Sequence, residues 1–160
     1  MVRALAFLML GVAMPACSSV PDEPMAVDNV VANIETLNGR TVRVAGYLGE
    51  CGGYSCDLFR NQSDKAQQDR RFQEIRAHQA DDPPLATPEV PALGIGSGEN
   101  FAFDRQAAPY LNSYVVITGQ VTNRCRDRQG RRGCTDRSPD FLPTQIEHWS
   151  PPQPQTGNRT

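Results

Sequence analysis

The sequence predicts a small, mainly β domain with a few short helices, placed behind an apolar leader. Three observations carry this. Thirteen Gly and thirteen Pro in 160 residues call for many turns, which a helix bundle does not need. Residues 40–48 (RTVRVAGYL) and 114–122 (YVVITGQVT) alternate between two faces with the period of a strand. Beyond residue 17 the chain holds an even set of cysteines, Cys51, Cys56, Cys125 and Cys134, and each pair brackets a glycine-containing segment. A chain of this length, 39% hydrophobic and 21% charged, is enough for one globular domain.

The leader comes first. Arg3 precedes an unbroken apolar run, residues 4–13 (ALAFLMLGVA). That run is half the roughly 20 residues a membrane-spanning helix needs, and it fits the apolar core of an export signal. Met14-Pro15-Ala16-Cys17 follows, then Ser18-Ser19. These residues resemble the lipobox of bacterial lipoproteins, where a large apolar residue, a small one, and Gly or Ala precede an invariant Cys. Ala16 and Cys17 fit, Met14 stands in for the usual Leu, and Pro15 departs from the pattern. The resemblance implies cleavage before Cys17, a thioether lipid on its sulfur and an acyl group on the new amine. Several acyl chains, at about 0.8 kcal/mol per buried methylene, make a stable anchor. It also implies a place on the periplasmic face of a cell-envelope membrane, and Ser18 rather than Asp after the cysteine points to the outer membrane. The rival reading is an ordinary secretory signal cut nearby, for which Met14 is an awkward residue. The expected organisation is a leader at 1–16, a tether at 17–23, a domain at 24–149 and a disordered tail at 150–160 (SPPQPQTGNRT).

Within the domain, Val27, Val30, Val31, Ile34 and Leu37 recur at helical spacing, which predicts a helix over 25–37. Asp22 is placed to cap it, Pro24 suits its first turn, and Asn38-Gly39 ends it. Residues 40–48 are the clearest strand. Val42, Val44, Gly46 and Leu48 share one face, and Thr41, Arg43, Ala45 and Tyr47 share the other. Gly46 in mid-strand marks a bend or a close approach. Residues 56–60 make a second strand. Residues 63–80 are polar and helix-prone, with Phe72 and Ile75 as their apolar spot, and 81–91 hold four prolines and read as a loop. Residues 93–96 are a third strand and 101–111 a short helix. Residues 114–122 are a strand with Val115, Ile117, Gly119 and Val121 inward. Residues 144–149 are the last strand, with Ile146 inside.

This order, together with Leu37-x-Gly39-Arg40-x-Val42-x-Val44-x-Gly46 and, later, Phe103-Asp104 and Tyr114-Val115-Val116-Ile117-Thr118-Gly119, resembles the OB-fold of small exported proteins of Gram-negative bacteria. The resemblance covers about residues 37–149. It implies a five-stranded Greek-key barrel with an N-terminal helix, a short helix between the third and fourth strands, and a helical, Pro-rich insertion. The insertion and the two cysteine loops depart from the pattern.

In an exported chain the four cysteines read as two disulfides, with Cys51–Cys56 and Cys125–Cys134 the preferred pairing among three. A zinc site of all four thiolates is the alternative, but the spacings are C-x4-C and C-x8-C and only the first suits zinc. The absence of C-x-x-C argues against thiol–disulfide exchange.

The net charge is −2 and becomes one unit more negative once Arg3 leaves with the leader, so the chain is a poor general binder of polyanions. One segment runs against that balance. Residues 124–137 hold six arginines, Arg124, Arg126, Arg128, Arg131, Arg132 and Arg137. Arginine grips phosphate or carboxylate with a two-pronged hydrogen bond, and the loop between the last two strands borders the ligand groove of OB-folds. Arg124, Arg126, Arg128, Arg131 and Arg132 are therefore the candidate anion-binding set, for an anionic envelope component or an acidic envelope protein. Asp127, Asp136 and Asp140 supply the competing reading of a locally balanced, solvated loop.

Other chemistry is thinner. His78 falls in a polar helix, and Glu147 and His148 point to opposite faces of a strand. Ser97 in Gly94-Ile95-Gly96-Ser97-Gly98 lacks the spacing of a nucleophile elbow. A metal-dependent phosphoester hydrolase would have to gather Asp57, Glu99 and Asp104. Binding of nucleic acid or an anionic glycan would need aromatic platforms, for which Arg43, Tyr47 and Phe59 are a meagre set. The expectation is a non-enzymatic binding or interaction module, with no cofactor and no resident metal, that meets the membrane through its lipid.

Overall fold

A computed structural model describes residues 23–79, 84–126, 134, 137 and 139–152. In chain order they form β1 (Met25–Ala26), α1 (Val27–Ala32), α2 (Ile34–Leu37), β2 (Thr41–Gly52), β3 (Ser55–Phe59), α3 (Gln62–Ala77), β4 (Ala92–Gly94), α4 (Ala102–Ala107), β5 (Ser113–Val121) and β6 (Phe141–His148). The protein is mainly β. Its sheet follows the path β4–β3–β2–β5–β6, every neighbour antiparallel, and β1 adds a parallel rung to β2. There are thus six strands, not the five expected. The two ends of the path meet at one parallel bridge, Ile95 with Phe141. Gly96 N donates to Phe141 O at 2.8 Å there, and Asp140 N donates to Gly94 O at 2.9 Å.

β2 is the spine. Its inward residues Val42, Val44 and Leu48 are buried, as are Val115, Ile117 and Val121 on β5, so the period-two reading of both strands holds. The first helix is shorter and broken. Met25 and Ala26 pair with Val44 and Ala45 as strand, and Asn33, with φ −115° and ψ 21°, separates α1 from α2. Its side-chain Nδ2 donates to Asn29 O at 2.8 Å, a local bond of the kind by which Asn competes with helix. The apolar stripe survives the break: Val27, Val30, Ile34 and Leu37 are all buried against the sheet, and Val31 packs at its margin. Pro24 precedes β1 instead of opening a helix, α1 has Ala26 at its N-cap, and Asp22 lies outside the described residues. Gly39, at φ +80°, turns the chain into β2.

α3 is a full 16-residue helix despite its polarity. Asn61 Oδ1 accepts from Asp64 N at 2.9 Å, closing the first turn. Asp64 in turn grips Arg60 Nε and Nη2 at 3.0 and 3.1 Å, and this carboxylate holds the guanidinium further above its ordinary pKa. Phe72 and Ile75 remain about half exposed. β6 begins three residues ahead of its expected start and brings in Phe141, which is fully buried.

Two glycines let strands approach where a side chain would collide. A Cβ on Gly46 would lie 2.5 Å from Phe59 O, and one on Gly119 would lie 2.7 Å from the Phe141 ring and 2.8 Å from Pro143 Cα. Gly119 faces Pro143 where the β5–β6 register shifts, and an irregularity of that kind accommodates a proline within a sheet. Gly119→Ala is expected to destabilise the fold by about 1–3 kcal/mol through overpacking, read as a lower urea midpoint at unchanged slope. Gly52→Ala, with nothing within 4 Å of the new methyl, should leave the midpoint close to that of the parent.

Candidate functional site

The two cysteine pairs sit at opposite ends of β2. Cys51 and Cys56 face each other across the β2–β3 hairpin, with Cα atoms 4.1 Å apart, and form a disulfide. Gly53 at φ +56° makes the turn and Tyr54 stands 82% exposed at its tip. Cys125 pairs with Cys134, their Cα atoms 5.1 Å apart, just beyond the end of β5. β5 ends beside the start of β2, where Thr41 opposes Gln120. Each pair is joined within itself, so the four sulfurs are not gathered as thiolates around one zinc ion.

At the root of the second disulfide loop, two arginines are held by buried carboxylates. Asp140 is fully buried and accepts a two-pronged bond from Arg126, Nε to Oδ1 and Nη2 to Oδ2, both at 2.7 Å. The same Oδ2 accepts from Gly94 N at 3.0 Å. Arg137 donates from Nε to Ile95 O at 2.8 Å and from Nη1 to Asp104 Oδ2 at 2.6 Å, with both side chains largely buried. Two members of the arginine-rich segment are thus structural fastenings, and Arg126 leaves the candidate anion set because its planar fork is spent on Asp140. Arg124 is exposed on the turn before Cys125. Arg128, Arg131 and Arg132 lie outside the described residues, as do Asp127, Asp136 and Cys17.

Near the other end of the sheet, α3 crosses the outer face of β2 and β3. A groove of about 340 Å³ lies between them. Glu50, Asp57 and Phe59 line its strand side, and Gln68, Phe72 and Arg76 its helix side. Gln68 Oε1 is buried without a hydrogen-bond partner among the described residues. A strap of chain before β4 is tied to the same helix. Thr87 donates from N to Glu74 Oε2 at 3.0 Å and from Oγ1 to Glu74 Oε1, while Arg71 Nη1 donates to Thr87 O at 2.7 Å. The Thr87 hydroxyl, above all, holds the Glu74 carboxyl below its ordinary pKa.

The remaining candidates are dispersed. Glu147 pairs with Arg43 at 2.6 Å, while the His148 ring lies 4.5 Å from that of Tyr110. His78 is exposed at the C-terminal end of α3. Ser97 O accepts from Phe103 N at the start of α4. Asp57 is on β3, Glu99 sits in the turn before α4, and Asp104 is bound to Arg137. Among the described residues no group of three or more His, Cys, Asp or Glu side chains is placed to hold a metal ion. Tyr47 and Phe59 are 7% and 5% exposed, so neither offers a face on which a base could stack. Tyr47 instead meets Tyr114 edge-on at 5.2 Å, and Tyr114 meets Trp149 at 6.1 Å. Sequence reasoning missed the Arg126–Asp140 and Arg137–Asp104 pairs and the groove under α3. The polar character of 63–80 gave no sign that a helix there would cover strand residues.

No protein-family model, curated protein or solved structure matches this chain.

Asp140→Asn is expected to cost about 3–5 kcal/mol, because it leaves Arg126 buried opposite a neutral group. Equilibrium unfolding measures the cost, and proteolysis within 127–133 should accelerate in parallel. The strap gives a pH prediction. A carboxyl with a depressed folded pKa contributes stability above its unfolded pKa and loses it as pH falls through the folded value. Exchange protection of the Thr87 amide should therefore persist through the ordinary glutamate range and disappear only below it. In Glu74→Gln that acid step should be missing.

Proposed function

We propose that this protein is a lipid-anchored component of the bacterial cell envelope whose domain is a non-enzymatic binding or interaction module. The observation that carries the second half is the pairing of its ionisable groups. The arginines and carboxylates that converge, Arg126 with Asp140, Arg137 with Asp104 and Arg43 with Glu147, are bonded to one another. Groups used in this way hold loops and strands in place, whereas acid–base or metal chemistry needs them turned toward a substrate. The first half rests on the lipobox-like Met14-Pro15-Ala16-Cys17 behind its apolar run. No helix among the described residues is long and apolar enough to cross a membrane.

The domain is best read as a closed OB-type barrel. Three features support this: the strand path β4–β3–β2–β5–β6, the parallel Ile95–Phe141 bridge between its ends, and α4 lying between β4 and β5 in sequence. On that reading the hairpin loop and the 125–134 loop are the two loops that flank an OB ligand face. The partner is an anionic envelope component or an envelope protein, with Arg124, Arg128, Arg131 and Arg132 as the arginines available by sequence to meet it.

The test is the intact mass of the protein extracted from membranes, before and after reduction under denaturing conditions. A chain beginning at Cys17, heavier by a diacylglyceryl group and an acyl chain, with a shift on reduction that matches two disulfides, is the expected result. An unlipidated chain cut elsewhere would remove the anchor from this account.

A further inference from the structure

A register shift in β2 gathers two carboxylates on one wall of the groove under α3. Leu48 opposes Leu58 and Cys51 opposes Cys56, so Gly49 and Glu50 together stand against Asp57. Glu50 and Asp57 both line the groove. Like charges set across a strand pair repel each other, and a cation laid between them relieves the repulsion. Phe59, two residues beyond Asp57, lines the same wall. Gly49 gives its ring room, since a Cβ there would lie 3.0 Å from it.

The helix wall adds apolar surface and a missing donor. Phe72 lines it and is 48% exposed, and Ile75, one helical turn on, is 45% exposed. Tyr54, at the hairpin tip, adjoins Ser55 of the lining. Three of the five large apolar side chains exposed among the described residues thus border this one groove, and apolar surface rimmed by charge marks an interaction site. Much of the helix's own positive charge is already engaged. Lys65 Nζ donates to Asp69 Oδ2 at 2.7 Å and Arg71 Nη1 to Thr87 O, which leaves Arg76 as the cation of the lining outside such a bond. Gln68 Oε1 is buried without a partner. Rotation about the last torsion of that side chain, which is a soft one, turns an acceptor toward the groove, and a donor arriving there would end the deficit.

We propose that the groove between α3 and the β2–β3 hairpin binds a basic segment of a partner protein, an Arg or Lys side chain next to an apolar residue. The charged head lies between Glu50, Asp57 and Gln68, and its methylene stem and the apolar neighbour lie along Phe59 and Phe72. A volume of about 340 Å³ suits one or two side chains rather than a folded surface. Resting on the binding-module reading above, such a site adds to it the chemistry of the partner, and it is separate from the arginine-rich loop.

The experiment uses the full mature protein, lipidated in cells, ¹⁵N-labelled and held in nanodiscs of phosphatidylcholine, a lipid without net charge. The probes are acetyl-Phe-Arg-amide, acetyl-Phe-Gln-amide and acetyl-Phe-Glu-amide, titrated while amide resonances are followed. The Arg peptide is expected to bind saturably and to shift Ser55, Asp57, Phe72 and the side-chain amide of Gln68. The Gln peptide should bind about two- to fivefold more weakly, the range for one exposed ion pair, and the Glu peptide more weakly still. Glu50→Gln should narrow the gap between the Arg and Gln peptides, and Phe72→Ala should weaken both. Both positions are exposed, and an unchanged spectrum away from the groove verifies that each variant is folded. Equal affinity for the three peptides, preference for the Glu peptide, shifts confined to other surfaces, an undiminished gap in Glu50→Gln, or no shift up to the solubility limit would overturn the proposal. Any of these in a chain that carries the lipid mass removes the groove site and leaves the anchor standing. Discrimination as expected in a chain without that mass supports the groove and removes the anchor.

Discussion

The fold depends most on one buried carboxylate. Asp140 has no exposed surface, yet it ties four parts of the chain together. Its side chain takes the fork of Arg126 and the N–H of Gly94, its own N–H reaches Gly94 O, and its carbonyl accepts from Thr122 N at 2.9 Å. Gly94 ends β4, Thr122 follows β5, and Phe141 begins β6 next door. The two open ends of the sheet path are brought together at this residue. A buried ion pair gains little net stability over an apolar contact, because two charges must leave water. What it supplies here is geometry: an apolar residue at 140 would leave Gly94 N without its acceptor and the Arg126 charge without a partner.

The second constraint is that the sheet is covered on both faces near its middle. Ala45, Tyr47 and Val116 point away from the main core and are still nearly inaccessible. The Tyr47, Tyr114 and Trp149 rings run across that outer face, and the Arg43–Glu147 bridge lies on the same side. This side of β2 and β5 is therefore closed to a ligand. The accessible sheet surface shifts toward β3 and the hairpin, where α3 leaves a groove instead of a seal.

The legible and illegible parts of the fold divide along a physical line. β2 and β5 were readable because nine or more residues alternate against one core, and a slip of one residue would invert every side chain. The apolar stripe of α1 and α2 was readable for the same kind of reason. β1 was not, since two residues carry no period and its pairing depends on the edge of β2 left uncovered beyond β3. The start of β6 was hidden by Pro143, which a strand tolerates only because Gly119 opposite lacks a side chain. The disulfides followed from parity and loop spacing. The Arg126–Asp140 and Arg137–Asp104 pairs did not, because the sequence offers six arginines within fourteen residues and nothing in it says which of them turn inward. Arg126 sits beside Cys125, whose side chain is also buried, so the loop's first turn is drawn into the protein before its remaining arginines begin.

These features give the molecule two unlike ends. At one, β1, the start of β2, the end of β5 and the second disulfide are gathered within a few residues of each other in register, and Arg126 and Arg137 are neutralised by carboxylates. At the other, the first disulfide stiffens a hairpin whose tip residue Tyr54 is largely exposed, and the groove beside it is lined by two aromatic rings, three acids and Gln68, whose Oε1 has no hydrogen-bond partner among the described residues. The Arg126–Asp140 and Arg137–Asp104 pairs fix where residues 126 and 137 lie against the sheet. Loss of Asp140 would therefore disturb the sheet itself, because Gly94 N and the Arg126 charge would lose their partner together.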